Sequence, residues 1–307
     1  MTLLSIHAFV HLVILLIVQS SKTVAFVPSI GTPINRAAAI LRSTTVVDVS
    51  DVEPQYDSDS NNSDGDNGYY SNTGGESTSA KAARDDLKRL LLQYGASYDR
   101  GFGASPSARA KVDGLIAELE SMNVSTNASR GIDGPNTSNN NESLSSPLTG
   151  SWRMVWTTAQ DVLVLGVSPL ATVGAIYQVF DPPVVTNIID FIPRIQALLP
   201  PALSLGSLLR ARVTTRASSR RGQPMRIGLD FEAVQLQPVE LLGQPVEGTL
   251  PPLGFDLPRI DLSAFGADPE NPPGYFDVTF LDEEMLVIRQ NAPGGIFVLV
   301  KTDENTP

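Results

Sequence analysis

Residues 148–158 read LTGSWRMVWTT, and this stretch decides the class of fold. Large apolar side chains stand at Trp152, Met154 and Trp156, and the residues between them are polar or smaller. Because successive side chains of a β-strand point to opposite faces, alternation with a period of two indicates a strand with one buried face. The folded part of the chain is therefore expected to consist mainly of strands.

The same alternation returns further along the chain, with turn-forming residues between the alternating stretches. The alternating stretches are residues 210–216, 226–233 and 276–280, and the turn signals are residues 218–223, 282–284 and 291–295. Short strands with regular turn signals are typical of an antiparallel sandwich or barrel. An apolar inner face and a charged outer face favour a small closed barrel over residues 147–303.

Two helices are predicted ahead of the strands, within residues 81–122. Leucines at helical spacing precede Gly95, which is expected to end the first helix. Ser105 and Pro106 form a typical N-cap and first-turn pair for the second. Each helix has one apolar stripe and is therefore expected to pack against another element.

The rest of the chain is predicted to consist of targeting segments and flexible linkers. An apolar run followed by small residues gives residues 1–25 the pattern of a signal peptide, and the acid-free residues 26–47 resemble a transit peptide. The acidic residues 48–80 are expected to be a disordered linker, and the Asn/Ser-rich residues 123–146 a flexible spacer.

The two leading segments together resemble the bipartite presequence that carries proteins through the ER into secondary plastids. Plastid localisation is the favoured interpretation because residues 26–47 contain no acid. Secretion is the alternative, and Asn-x-Ser sequons are compatible with it. These sequons are at Asn61, Asn123, Asn127, Asn136 and Asn141.

Composition argues against most catalytic classes. The chain of 307 residues has 22 basic and 33 acidic side chains, a formal net charge of −11, and no cysteine. Its two histidines, His7 and His11, lie in the predicted signal peptide. Without cysteine or histidine, the mature chain has no thiolate nucleophile, no Ser–His–Asp triad and no histidine-ligated metal. We expect no enzyme activity, no cofactor and no metal.

Arginines are concentrated between residues 210 and 226, where no acid interrupts them. This stretch lacks the interleaved aromatic residues of a nucleic-acid-binding surface, so no nucleic-acid partner is expected. Contact with an anionic plastid membrane surface is one interpretation, and pairing with Asp230 and Glu232 across the hairpin is the other. The membrane-contact candidates in this cluster are Arg212, Arg216, Arg220 and Arg221.

The apolar stretch Ile192–Leu205 is too short and too often interrupted by proline to cross a bilayer. It is either a loop buried against the barrel or an edge that dips into lipid. In the second case Ile192, Leu198 and Leu199 are further membrane-contact candidates.

Several stretches in this order resemble the plastid lipid-associated proteins, also called plastid fibrillins. They are Leu148–Thr158, Ile176–Gln178, Arg226–Glu232, Gly274–Glu284, Ile288–Arg289 and Gly294–Leu299. The resemblance implies a lipocalin-like antiparallel β-barrel that binds apolar molecules at plastid lipid bodies or thylakoids, without established catalysis. This chain departs from the family pattern at Leu286, where Arg is usual, and at Gln290, where Gly is usual.

The resemblance also implies site residues. Gly150-Ser151-Trp152 is similar to the Gly-x-Trp that opens lipocalin barrels, which places Trp152 on the cavity floor with Arg289 stacked over it. Asp282 stands in the turn of the family motif. The full set predicted to line the cavity or its floor is Trp152, Trp156, Tyr177, Phe231, Phe280, Arg289 and Phe297.

The resulting functional prediction is a non-catalytic plastid protein that binds a prenyl lipid, quinone or carotenoid and attaches peripherally to plastoglobules or thylakoids. An alternative is an interaction module that docks on a prenyl-lipid biosynthetic enzyme. A secreted lipocalin-like glycoprotein is a third possibility.

Overall fold

The structure is a computed structural model of the chain. It describes residues 78–134, 145–194, 206–256, 274–291 and 294–302. The predicted signal peptide and transit-like segment lie outside the described residues, as do Leu198 and Leu199 and all of the acidic linker before residue 78.

Two helices precede the strands, as the apolar stripes predicted. Helix α1 is Thr78–Ser97 and helix α2 is Pro106–Ser121, with a short 3-10 turn between them. The Ser105 hydroxyl caps α2 by accepting a hydrogen bond from Ala108 N at 3.2 Å. Gly95 lies inside α1 and does not end it. An ideal Cβ on Gly95 would collide with the carbonyl oxygen of Val155, so the glycine lets the helix lie directly on a strand.

Ten strands follow the helices within the described residues. They are β1 (Gly150–Thr157), β2 (Ala171–Asp181), β3 (Val184–Pro193), β4 (Leu208–Arg220), β5 (Gln223–Leu241), β6 (Gln244–Pro245), β7 (Leu253–Asp256), β8 (Tyr275–Leu281), β9 (Met285–Gln290) and β10 (Gly295–Thr302). A four-residue helix α3 (Gln160–Leu163) and a 3-10 turn (Val164–Val167) connect β1 to β2.

The predicted closed antiparallel barrel is confirmed. Eight strands pair in the order β4-β3-β2-β1-β10-β9-β8-β5, and β5 pairs back with β4 to close the ring. All of these pairings are antiparallel. Among the described residues, the short strands β6 and β7 pair with β5 alone, near its far end.

One end of the barrel, where β1 begins, is plugged. Ala128 and Ile132 are fully buried there, in the same core cluster as Trp152. The Asn123 side chain accepts a hydrogen bond from Leu281 N at 3.0 Å, and Asp133 accepts one from Ser219 N at 2.8 Å. The structure thus differs from the predicted flexible spacer over residues 123–134, because two apolar side chains in that polar stretch bury themselves in the barrel. We call this the plugged end.

The helices cover the outer face of β1, β8, β9 and β10. Leu87, Leu91, Val112, Ile116 and Leu119 pack there against apolar residues of those strands. The barrel wall on this side therefore has apolar side chains on both faces.

Candidate functional site

Trp152 lies inside the barrel at the plugged end, in the same cluster as Ala128 and Ile132. It is fully buried and donates its indole N–H to the Leu148 carbonyl at 2.8 Å. The Nζ of Lys301 on β10 lies 5.3 Å from the centroid of the Trp152 ring. A cation does lie over Trp152, as the resemblance implied, but it comes from Lys301.

Arg289 does not stack on Trp152, and that prediction is wrong. Its neighbour Ile288 points into the core cluster that contains Trp152, so strand alternation turns Arg289 to the outer face. There its guanidinium donates two hydrogen bonds of 2.7 Å to the Glu120 carboxylate on α2. Arg289 therefore fastens a helix to the barrel.

Trp156 and Phe280 lie outside the barrel interior, and their prediction as cavity residues is also wrong. A β-bulge is the cause in each strand, because one extra residue reverses which face the following side chains occupy. The register of β1 on β10 shifts between Met154 and Trp156, and that of β8 on β9 shifts between Val278 and Phe280. Both aromatic side chains consequently pack in the cluster beneath the helices.

Tyr177 likewise faces outward. Its cross-strand partners are Arg153 and Ile188, whereas the inward-facing Trp152 pairs with Gln178. Tyr177 is half-buried on the outer surface, so it does not line the interior as predicted.

Phe231 and Phe297 do face the interior. Phe297 pairs with Ile288 and packs against both clusters of apolar side chains inside the barrel. Phe231 pairs with Thr215, a fully buried residue that alternates with the inward-facing Ala217. Both phenylalanines are only half-buried. Together with Trp152 they are the members of the predicted set that the structure places inside.

The arginine cluster is largely neutralised by carboxylates. On the outer face, Arg210 donates to both Asp190 oxygens, at 2.7 and 3.1 Å. Arg212 pairs with Glu247 at 3.0 Å. These pairs remove the uncompensated charge on which attraction to an anionic surface depends.

Three further arginines of the cluster differ from one another in their contacts. Arg216 pairs with Glu232 at 2.7 Å, which is the cross-hairpin pairing that was the alternative prediction. Arg220 is buried against Gly228, and Arg221 is exposed in the turn. Two of the four membrane-contact arginines, Arg212 and Arg216, are thus held in ion pairs.

The family-motif turn is a structural junction. The Asp282 carboxylate accepts hydrogen bonds from Glu284 N at 2.9 Å and Met285 N at 2.8 Å, and it lies 2.5 Å from Lys88 Nζ on α1. Burial disfavours the charged form of Lys88. Hydrogen bonds and charge from Asp282 and Glu284 outweigh that effect, so the pKa of Lys88 is raised. This turn holds the first helix on the barrel.

Exposed apolar side chains gather at the end opposite the plug. Ten large hydrophobic residues are exposed among the described residues, and all but Leu92 and Val124 lie at this end. We call these eight the rim: Val164, Val167, Leu170, Ile192, Leu241, Leu242, Leu250 and Leu253.

The topology is what brings the rim together. β1, β3 and β5 end at this end of the barrel and β2 and β4 begin there, so three separate connections meet. Sequence reasoning identified only Ile192, because the other members are single apolar residues in loops and turns that acquire meaning only as a group.

Within the described ranges, no helix combines the length and the apolar character that crossing a bilayer requires.

The comparisons with known proteins identify one family. The PAP_fibrillin family model matches residues 85–300. A plastid-lipid-associated chloroplastic protein of Citrus unshiu is 26% identical over 248 residues, covering 71% of this chain and 68% of the relative. Plastid lipid-associated protein 1 of Brassica campestris is 26% identical over 320 residues, covering 88% and 86%.

A further relative is a chromoplast-specific carotenoid-associated protein, C2, of an Oncidium hybrid cultivar. It is 24% identical over 249 residues, covering 73% of this chain and 72% of the relative. No solved structure matches the chain significantly.

Proposed function

The chain belongs to the PAP_fibrillin family, and from that membership we propose that it is a non-catalytic plastid protein whose barrel binds an apolar molecule. We propose further that the rim attaches it peripherally to a plastid lipid surface. The relatives are named as chloroplastic or chromoplastic and as lipid- or carotenoid-associated, which supports a prenyl lipid, quinone or carotenoid as the bound molecule.

The observation that carries attachment is the one-sided distribution of exposed apolar side chains. Leu and Val residues that are exposed singly are common on protein surfaces, but eight at one end of a barrel form a patch of the kind that contacts lipid or protein. Full burial of such a side chain contributes about 1.5–3 kcal/mol, so a half-exposed one contributes about 1 kcal/mol when it enters lipid.

The conformation of Leu242 also supports attachment through the rim. It is 56% exposed and has a left-handed backbone with φ of 51° in the turn between β5 and β6. Turns at such angles usually use glycine or asparagine, because a larger side chain is strained there. A leucine in that position keeps an apolar side chain at the tip of the rim despite the strain.

The interior supports the binding of an apolar molecule. Phe231 and Phe297 are half-buried and face inward above the Trp152 floor. We propose that these three residues contact the apolar part of the ligand. Lys301, whose ammonium lies over the Trp152 ring, is exposed and is not assigned to ligand binding.

Flotation with lipid tests the attachment. The four most exposed rim residues, Val167, Leu170, Leu242 and Leu253, are changed together to Ser and the protein is mixed with triolein droplets coated with galactolipid. The loss of roughly 4 kcal/mol, about 1 kcal/mol for each side chain, is expected to weaken binding about a thousandfold.

The control variant changes Leu92 and Val124 to Ser, because these two residues are also apolar and exposed, at 42% and 49%, but lie away from the rim. Binding should survive about 0.5 M salt, because the interaction is apolar and not screened. The proposal fails if the rim variant, with an unchanged urea midpoint, floats like wild type, or if salt releases the wild-type protein.

Native purification from plastid membranes, lipid extraction and mass spectrometry test the ligand. A co-purified prenyl lipid, quinone or carotenoid supports the proposal. If the protein carries no lipid and co-purifies with a prenyl-lipid biosynthetic enzyme, the result contradicts the proposal. It then favours the alternative of an interaction module that docks on that enzyme.

The fold bears on one of the sequons that the secreted alternative would use. Among the sequons, Asn123 already uses its side-chain amide inside the fold, donating to Ser125 O at 2.9 Å as well as accepting from Leu281 N. A glycan at Asn123 would break these contacts, so we expect that site to be unmodified.

A further inference from the structure

Two polar side chains, those of Asp161 and Gln290, meet at the rim end of the barrel interior. The connection after β1 is fastened to the start of β10, where the Thr158 hydroxyl accepts from Ile296 N at 3.0 Å. An ideal Cβ on Gly295 would collide with Ala159, so the glycine lets this connection lie directly on β10. Gly295 pairs with Gln290 of β9, and the connection therefore brings Asp161 beside Gln290.

Gln290 faces the barrel interior. Its cross-strand partner Phe276 belongs to the core cluster inside the barrel, and Ile288, two residues earlier on β9, belongs to the same cluster. The Asp161 carboxylate is hydrogen-bonded to the Gln290 side chain. The Gln290 amide on the inner wall of the barrel thus contacts the Asp161 carboxylate on the loop after β1.

The surroundings of this pair are apolar. Val162, the residue after Asp161, packs with Leu165 against the inner cluster at the rim end. Burial raises the pKa of Asp161 because the carboxylate loses water. The other groups that act on Asp161 are hydrogen-bond donors, and no lysine or arginine of the described residues is among them. An ion pair therefore does not account for the carboxylate at this position.

We propose that Asp161 and Gln290 anchor the head group of a hydroxyl-bearing apolar ligand. The carboxylate accepts a hydrogen bond from the ligand hydroxyl, the Gln290 amide holds the carboxylate in place, and the apolar remainder extends toward Phe297 and the Trp152 floor. This assignment rests on the proposed function and deepens it, because it names the chemistry that selects among apolar molecules.

Retinol and its methyl ether test the assignment, because both are fluorescent polyenes and the ether carries a methyl group in place of the hydroxyl hydrogen. A site built to hydrogen-bond a hydroxyl discriminates against an analogue without it. We expect the full chain to bind retinol at least tenfold more tightly than the ether. In Asp161→Leu and Gln290→Leu the two affinities should differ by less than about threefold, with ether binding retained.

Asp230→Leu and Gln235→Leu serve as matched controls, since both residues are exposed on the outer wall, and both should keep the tenfold preference. If wild type binds retinol and its ether equally, or if the two variants keep the preference, the anchor is overturned and the proposed function stands. If neither polyene binds and purified protein carries no lipid, the proposed function itself fails.

Discussion

Replacing Asp282 with Ala tests how the helical pair is held on the barrel. The Asp282 carboxylate caps two backbone N–H groups and contacts Lys88 Nζ, and the exposed fractions of the two side chains are only 12% and 11%. Removing one partner of a buried ion pair costs about 3–5 kcal/mol, because the other charge remains buried without it. Glu284, 3.0 Å from Lys88 Nζ, retains part of the interaction, so we expect a loss near the lower end of that range, about 3 kcal/mol.

Urea unfolding followed by tryptophan fluorescence measures this loss. Trp152 lies inside the barrel and Trp156 beneath the helices, so single Trp→Phe backgrounds report the barrel and the helix interface separately. The Trp156 signal is expected to change at the lower urea concentration, because the helices detach first. Glu283→Ala is the control, since Glu283 is exposed in the same turn. The reasoning is refuted if Asp282→Ala lowers the free energy of unfolding by no more than Glu283→Ala does.

Three further predictions concern a closely packed glycine, a carboxylate with a raised pKa, and two paired arginines. Gly95→Ala should destabilise the protein by about 1–3 kcal/mol, because the new methyl group overpacks against β1. Gly114→Ala is the control and should stabilise the protein by about 0.5–1 kcal/mol, because its methyl group meets nothing within 4 Å. Equal urea midpoints for the two variants would contradict the close contact at Gly95. Asp161→Asn should stabilise the fold at pH 7, because a raised carboxyl pKa favours the unfolded state once pH exceeds it, and the gain should vanish well below the ordinary pKa of 3.8; an equal gain at pH 3 and pH 7 would disprove the cause. Arg212→Gln and Arg216→Gln together should leave sedimentation with phosphatidylglycerol vesicles unchanged, because both charges are already paired; a clear drop would restore the membrane role of the cluster.

The barrel could be predicted from the sequence because burial on one face of a strand leaves a period of two in the chain. The same rule assigned Trp156 and Phe280 to the wrong face. A single extra residue in β1 and in β8 turns these two side chains to the opposite face of the sheet. A bulge depends on the pairing of two strands, so the alternation within one strand does not reveal it.

A basic side chain over the Trp152 ring was predicted, but it was assigned to the wrong residue. Lys301 and Arg289 are both basic residues of late strands, and only the register between strands decides which of them reaches the ring. The rim was missed for a different reason. Its members are far apart in the sequence, and only the closure of the barrel brings their connections to one end.

Amide hydrogen exchange with and without triolein–galactolipid droplets tests the central claim most directly, because it locates the surface that meets lipid. We predict slower exchange on binding within residues 164–170 and 241–253, which carry seven of the eight rim side chains, and unchanged exchange within residues 123–132 at the plugged end. Protection at the plugged end or over helices α1 and α2, with the rim unprotected, would contradict attachment through the rim.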